Sequence, residues 1–273
     1  MVRIFNTNTS KIMHARFRVV RGGEEQPPVY CPAGDCTMDG VPGAQSRITL
    51  SFLDPAGAKT GRALPTGNAV DVLELPDGSA VRASLVDVSN PGVFVALEEL
   101  GLAVVGHPGT FNPAAVEADG TLKRRLEMIR RAGAARMGLD PEVESVPKIV
   151  LLFPQQQQQQ DSKKKKQNIH DGGGGDGGDE IVDIRCLAMS MGQAHKAVPL
   201  TLALCLGAAA NIAGTVAAQI RRRRDGGDGS SSSVVIGHPS GTVEIGATFE
   251  DGNIVSADLH RTARVLMKGE VYY

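Results

Sequence analysis

Short apolar runs bounded by turn-forming residues dominate the first hundred positions, which predicts strands rather than helices. Val2-Arg3-Ile4-Phe5 is strand-like from the outset and Ile12 to Val20 continues it. A Pro- and Gly-rich stretch from Val29 to Gly43 separates these from a second group at Arg47 to Leu53, Val70 to Leu75, Val81 to Val86 and Val93 to Ala96. The period changes between Gly120 and Gly138. There Leu122, Leu126, Ile129 and Met137 recur at helical spacing, with Lys123, Arg124, Arg125, Arg130, Arg131 and Arg136 on the other positions. That pattern predicts an amphipathic surface helix whose basic side chains face water. Pro147 to Phe153 (PKIVLLF) lacks alternation and reads as a buried strand.

Two segments have almost nothing to bury. Gln155 to about Asp179 combines a Gln run, a Lys run and GGGGDGGD, and Arg221 to Ser233 is basic and then Ser-rich, so both are expected as disordered insertions within a folded domain. From Ala197 to Ile220, by contrast, no residue is charged, and four arginines follow. Such a run is long enough to cross a bilayer. Pro199, Thr201, Asn211, Thr215 and Gln219 argue against that, and a helix enclosed by strands needs the same uniform apolarity.

Composition narrows the function classes. Lys plus Arg (29) and Asp plus Glu (30) nearly cancel, which leaves no field to draw the chain onto nucleic acid or an anionic membrane. Plentiful Gly (33) and Pro (15) with 4% aromatics suit many short strands joined by turns. The four cysteines, Cys31, Cys36, Cys186 and Cys205, lack zinc-ligand spacing, and with no signal peptide at the start of the sequence a reducing, cytoplasmic compartment is the simpler expectation. No dinucleotide fingerprint, phosphate-cradling glycine motif, GxSxG elbow or HExxH is present in the sequence.

What remains is a series of Gly-, Asn- and Pro-centred turns at strand ends. They are Phe5 to Thr9 (FNTNT), Asp39 to Gly43 (DGVPG), Ile48 to Gly57 (ITLSFLDPAG), Leu64 to Asn68 (LPTGN) and Ala83 to Val95 (ASLVDVSNPGVFV). Met189 to His195 (MSMGQAH), Leu204 to Ala210 (LCLGAAA), Ile236 to Thr242 (IGHPSGT) and Arg261 to Gly269 (RTARVLMKG) follow. In this order they resemble the PrpF family of isomerases, which is related in fold to diaminopimelate epimerase.

The resemblance implies an α+β, diaminopimelate epimerase-like fold of two pseudo-symmetric domains, each a β-barrel-like sheet around a central helix, with substrate in the cleft between them. On that reading residues 1–40 are the end of an incomplete first domain, 41–273 are the second, and Ala197 to Ile220 is its core helix. A weak echo of IFNTNTSK (4–11) in IGHPSGTV (236–243) fits two related halves. The implied chemistry is proton and double-bond movement in a small unsaturated di- or tricarboxylic acid, with no coenzyme, metal, nucleic acid or membrane.

An acid–base pair serves such a reaction, and backbone N–H groups at a helix N-terminus hold the neighbouring carboxylate. Here that terminus is Val198 to Thr201. The substrate-facing residues carried over are Asn90, Gly192, Gln193, His195, Thr201, Thr66, Gly67 and Asn68. Each also has a structural reading as a turn cap, a satisfied polar side chain or a backbone pivot. Cys205, inside the apolar helix, is expected as a small buried hydrophobe. The family's catalytic Cys and Lys belong to an early GGTSK-type turn and a Cys-Gly-Asn turn that this sequence does not contain. Leu202 stands where the family has Gly, and is expected to crowd an approaching carboxylate. An inactive remnant, a binding module and an epimerase remain open as alternatives.

Overall fold

The structure, a computed structural model, describes the chain apart from residues 8, 22, 24–26, 102–111, 154–181, 222–232, 265, 268 and 271–273. The expected insertions at about 155–179 and 221–233 thus lie outside the described residues, save for Arg221 and Ser233.

The first segment supplies β1 (Val2–Asn6), β2 (Lys11–Arg16), β3 (Val19–Val20), β4 (Val29–Tyr30), β5 (Cys36–Met38) and β6 (Val41–Gln45). The strand expected over Ile12 to Val20 is therefore two, and the Pro/Gly-rich stretch holds three short strands of its own. Next come β7 (Ile48–Leu53), β8 (Asp71–Glu74), β9 (Ala80–Val88) and β10 (Asn90–Ala96), then helices α1 (Pro113–Ala118) and α2 (Gly120–Arg136). The chain continues with β11 (Lys148–Phe153), β12 (Ile184–Ser190), β13 (Gln193–Ala194), helices α3 (Leu200–Ala209) and α4 (Val216–Ile220), β14 (Val234–His238), β15 (Gly241–Glu250) and β16 (Asn253–Arg261).

A single mixed sheet runs β1-β2-β7-β16-β15-β14-β12-β11-β10-β9-β8, with β13 paired to β12. β3 pairs with β4, and β5 with β6, apart from it. Most neighbours are antiparallel, while β10 with β11 and β12 with β14 are parallel. β1 and β2, which precede residue 40, are hydrogen-bonded into this sheet through β7.

α3 packs against β9, β10, β14, β15 and β16. Because β11 and β12 lie between those groups in the sheet order, the sheet has to curl around the helix. This is an α+β fold with an enclosed central helix. Every residue of α3 from Leu202 to Ala209 is buried, so the helix has no polar face to turn outward. Gly207 permits the close approach, since a Cβ there would sit 2.4 Å from Ile245 Cγ2.

Strand period sorts the remaining apolar residues. Phe94, Val150 and Leu152 point to the α3 core, while their neighbours Val93, Val95 and Leu151 join Leu122, Leu126 and Ile129 in a second core under α2. Each fully buried Leu or Phe contributes about 1.5–3 kcal/mol.

Two expectations need correction here. Ala197 to Ile220 is not one helix: Gly214 takes φ +84°, and Thr215 Oγ1 then caps α4 by accepting from Ala218 N at 3.1 Å. Among the described residues no helix is long and apolar enough to cross a membrane. Nor is Arg130 solvated. It is 3% exposed, pairs with Glu127 and donates to the Val143 and Pro141 carbonyls at 3.0 and 2.6 Å, so it clamps α2 to the loop that follows.

Candidate functional site

β12 and β13 are joined by the two-residue turn Met191-Gly192, with φ +53° and +68° and Ser190 opposite Gln193. Two left-handed residues in a two-residue loop give the turn type that matches strand twist. The chain leaving this hairpin is fixed at two points. His195 N donates to Ala188 O at 2.9 Å, and Lys196 O accepts from Ser240 N at 2.9 Å. α3 then begins behind Pro199, which as N-cap offers no side-chain acceptor. The first-turn N–H groups therefore keep their positive end uncapped by any side chain.

Thr201 is half-buried in that first turn, His195 is half-buried and Gln193 is exposed. Leu202 corrects the expectation that it would crowd this end: it is fully buried, directed into the core, and its Cδ1 would lie 3.2 Å from a Cβ at Gly92. The same contact places the first turn of α3 beside the start of β10. There Asn90 follows Ser89, whose φ is +62°, and donates from Nδ2 to Pro91 O at 3.2 Å.

Thr66, Gly67 and Asn68 do different work. Asp71 is buried, and its carboxylate accepts from Thr66 Oγ1 at 2.6 Å, Asn68 Nδ2 at 3.0 Å and Arg136 Nε at 3.3 Å. Gly67, at φ +81°, turns the chain between the two donors. The polar groups of this turn are thus committed to Asp71.

Glu117, on α1, escaped sequence reading. Its carboxylate accepts from Lys123 Nζ at 2.6 Å and from the Ala194 backbone N–H, so it tethers the hairpin that carries Gln193 and His195. Lys123 first, and the Ala194 N–H second, hold its carboxyl below the usual range. The only sequence signal was the Asn112-Pro113 pair opening a helix.

His238, at the end of β14, is buried with Nδ1 lacking a hydrogen-bond partner. Burial lowers its pKa, against the opposing pull of the Asp39 carboxylate and a backbone hydrogen bond to Lys196. Cys205 donates to Val86 O at 3.3 Å and burial pushes its thiol up, while burial pushes Cys186 up to about 12. Neither is a thiolate at neutral pH. Among the described residues no group of three His, Cys, Asp or Glu side chains is placed to hold a metal.

The PrpF protein family matches residues 1–273. The chain belongs to that family. A 3-methylitaconate isomerase of Eubacterium barkeri is 35% identical over 271 residues, covering 99% of this chain and 66% of that protein. A 2-methyl-aconitate isomerase of Shewanella oneidensis is 31% identical, covering 99% and 64%. The crystal structure of a methylitaconate-delta-isomerase superposes with a TM-score of 0.74 at 31% identity, over 99% of this chain and 65% of that one. The chain thus spans just under two thirds of the length of these PrpF relatives.

Proposed function

We propose that this PrpF chain serves a cofactor-independent isomerase that moves a proton, and with it a double bond, in a small unsaturated di- or tricarboxylic acid. The supporting observation is the uncapped first turn of α3, which follows the Gln193–His195 hairpin in the chain and lies beside the start of β10, in a family whose relatives are named for methylitaconate and methyl-aconitate. A substrate carboxylate would rest on the α3 amides and Thr201 Oγ1, with Asn90 and Gln193 as side-chain donors. Negative charge spreading into that carboxylate as the adjacent carbon loses its proton is stabilised there by preorganised donors. His195, half-buried on the same hairpin as Gln193, is a further contact for the acid. Reduced cysteines in a cytoplasmic setting fit the four free thiols.

The test is proton NMR in D2O with methylitaconate and with 2-methylaconitate as separate substrates. Enzyme-dependent deuterium uptake beside the double bond, or its migration, supports the reading. Binding of either acid without any exchange would instead make the chain a binding module.

A further inference from the structure

The hairpin of β5 and β6 lies outside the large sheet, yet its turn is fastened to a strand of that sheet. Met38 pairs with Val41, which leaves Asp39 and Gly40 as a two-residue turn, with Gly40 at φ +77°. From there the Asp39 carboxylate reaches a strand 203 positions away. Its Oδ2 accepts from Thr242 N at 2.7 Å and from Thr242 Oγ1 at 3.0 Å, at the start of β15. The preceding residue, Gly241, is shaped to receive it. Gly241 takes φ +141°, and a Cβ there would lie 2.2 Å from Asp39 Oδ2, so only glycine leaves the carboxylate its place.

Gly241 pairs with His238 across Pro239-Ser240, the two residues that join β14 to β15. This turn holds the chain that leads into α3. Ser240 N donates to Lys196 O at 2.9 Å, and the buried His238 ring, which feels the Asp39 charge, also hydrogen-bonds the Lys196 backbone. Only Ala197, Val198 and Pro199 separate Lys196 from the first residue of α3. Val198 is buried and the Pro199 ring fixes its own φ, so a displaced Lys196 carbonyl moves the first turn with little slack. Asp39 itself is exposed, so removing its carboxylate leaves both apolar cores intact.

We propose that Asp39 is a positioning residue for the α3 end: its carboxylate fixes the Pro239-Ser240 turn, and the turn fixes the first-turn amides through Lys196 O. The effect on acid binding rests on the carboxylate site proposed above, so the test has one arm without acid and one with it. In the first, amide exchange in Asp39→Ala should quicken about tenfold at Thr242 and Ser240. It should quicken a few-fold at Ala203, whose N–H bonds Pro199 O, while Val150 and Leu187 in the sheet keep their rates. In the second, methylitaconate affinity should fall about tenfold in Asp39→Ala, because displaced donors lose their alignment. Asp39→Asn, whose amide oxygen still accepts from Thr242, should stay within about threefold of the unaltered chain. Unchanged exchange at Ser240 and Ala203 overturns the proposal whether or not an acid binds. So does faster exchange throughout the chain, which would make Asp39 a source of stability alone, or full acid affinity in Asp39→Ala. If the unaltered chain binds no acid, the carboxylate site fails, and the exchange arm by itself decides for or against the role of Asp39. Should Asp39→Ala fail to fold, Thr242→Val decides: it removes one of the two donors and should give a smaller change in the same direction.

Discussion

The Thr66–Asn68 turn and the hairpin leading into α3 carry similar residues, yet they spend them differently. In the first, both side-chain donors go to one buried carboxylate, with Arg136 completing the set. In the second, the groups held among the described residues are backbone ones, Ala194 N, His195 N and Lys196 O, and the side chains of Gln193 and Thr201 lie at or near the surface. A turn whose polar groups are internally satisfied supports the fold, and one held by its backbone leaves side chains for a ligand.

The contrast is sharpest at Asp71. Asp71→Ala strands Thr66 and Asn68 without their acceptor and should cost about 2–4 kcal/mol of stability, read by urea unfolding. Loss below about 1 kcal/mol would mean that the network is not what shapes the turn. Thr201→Val should do the reverse, leaving the unfolding midpoint nearly unchanged while lowering turnover or acid affinity about tenfold. Comparable losses of stability from both variants would erase the distinction between the turns.

Gly192→Ala tests the hairpin backbone. Nothing lies within 4 Å of the added Cβ, so the cost is the left-handed conformation alone, about 1 kcal/mol. A smaller effect follows protonation of His238. Burial lowers its folded pKa, so the unfolded chain binds the proton more tightly. Its contribution is complete above the ordinary value of 6.5 and is lost as pH falls through the folded value. His238→Asn should flatten the stability profile in that window. Smallest is Glu117→Gln, which keeps shape and removes charge. Amide exchange at Ala194 should quicken a few-fold with global stability unchanged. In the wild type the same loosening should appear as pH drops through the depressed Glu117 pKa, because that carboxylate's contribution holds only while it is ionised.

Much of this was legible in one dimension. Short apolar runs bounded by turn residues gave β7, β8, β9 and β11 nearly to their ends and the second half of β10, and the apolar spacing of Leu122, Leu126 and Ile129 gave α2, because burial of one face is a local periodicity. The ordered turn motifs identified the family. Uncharged residues from Ala197 to Ile220 announced a buried helix, but the break at Gly214 depended on Thr215 finding Ala218 N as a cap.

The amino-acid order by itself determined which faces are apolar and where the chain must turn, since both follow from side-chain character and backbone sterics within a few residues. Tertiary structure alone decided what each polar group does. Thr66 faces Asp71, Arg130 faces two carbonyls, Leu202 faces inward and Glu117 reaches Ala194, 77 positions away. Hydrogen bonding is directional and short-ranged, so its partners exist only once the chain has folded.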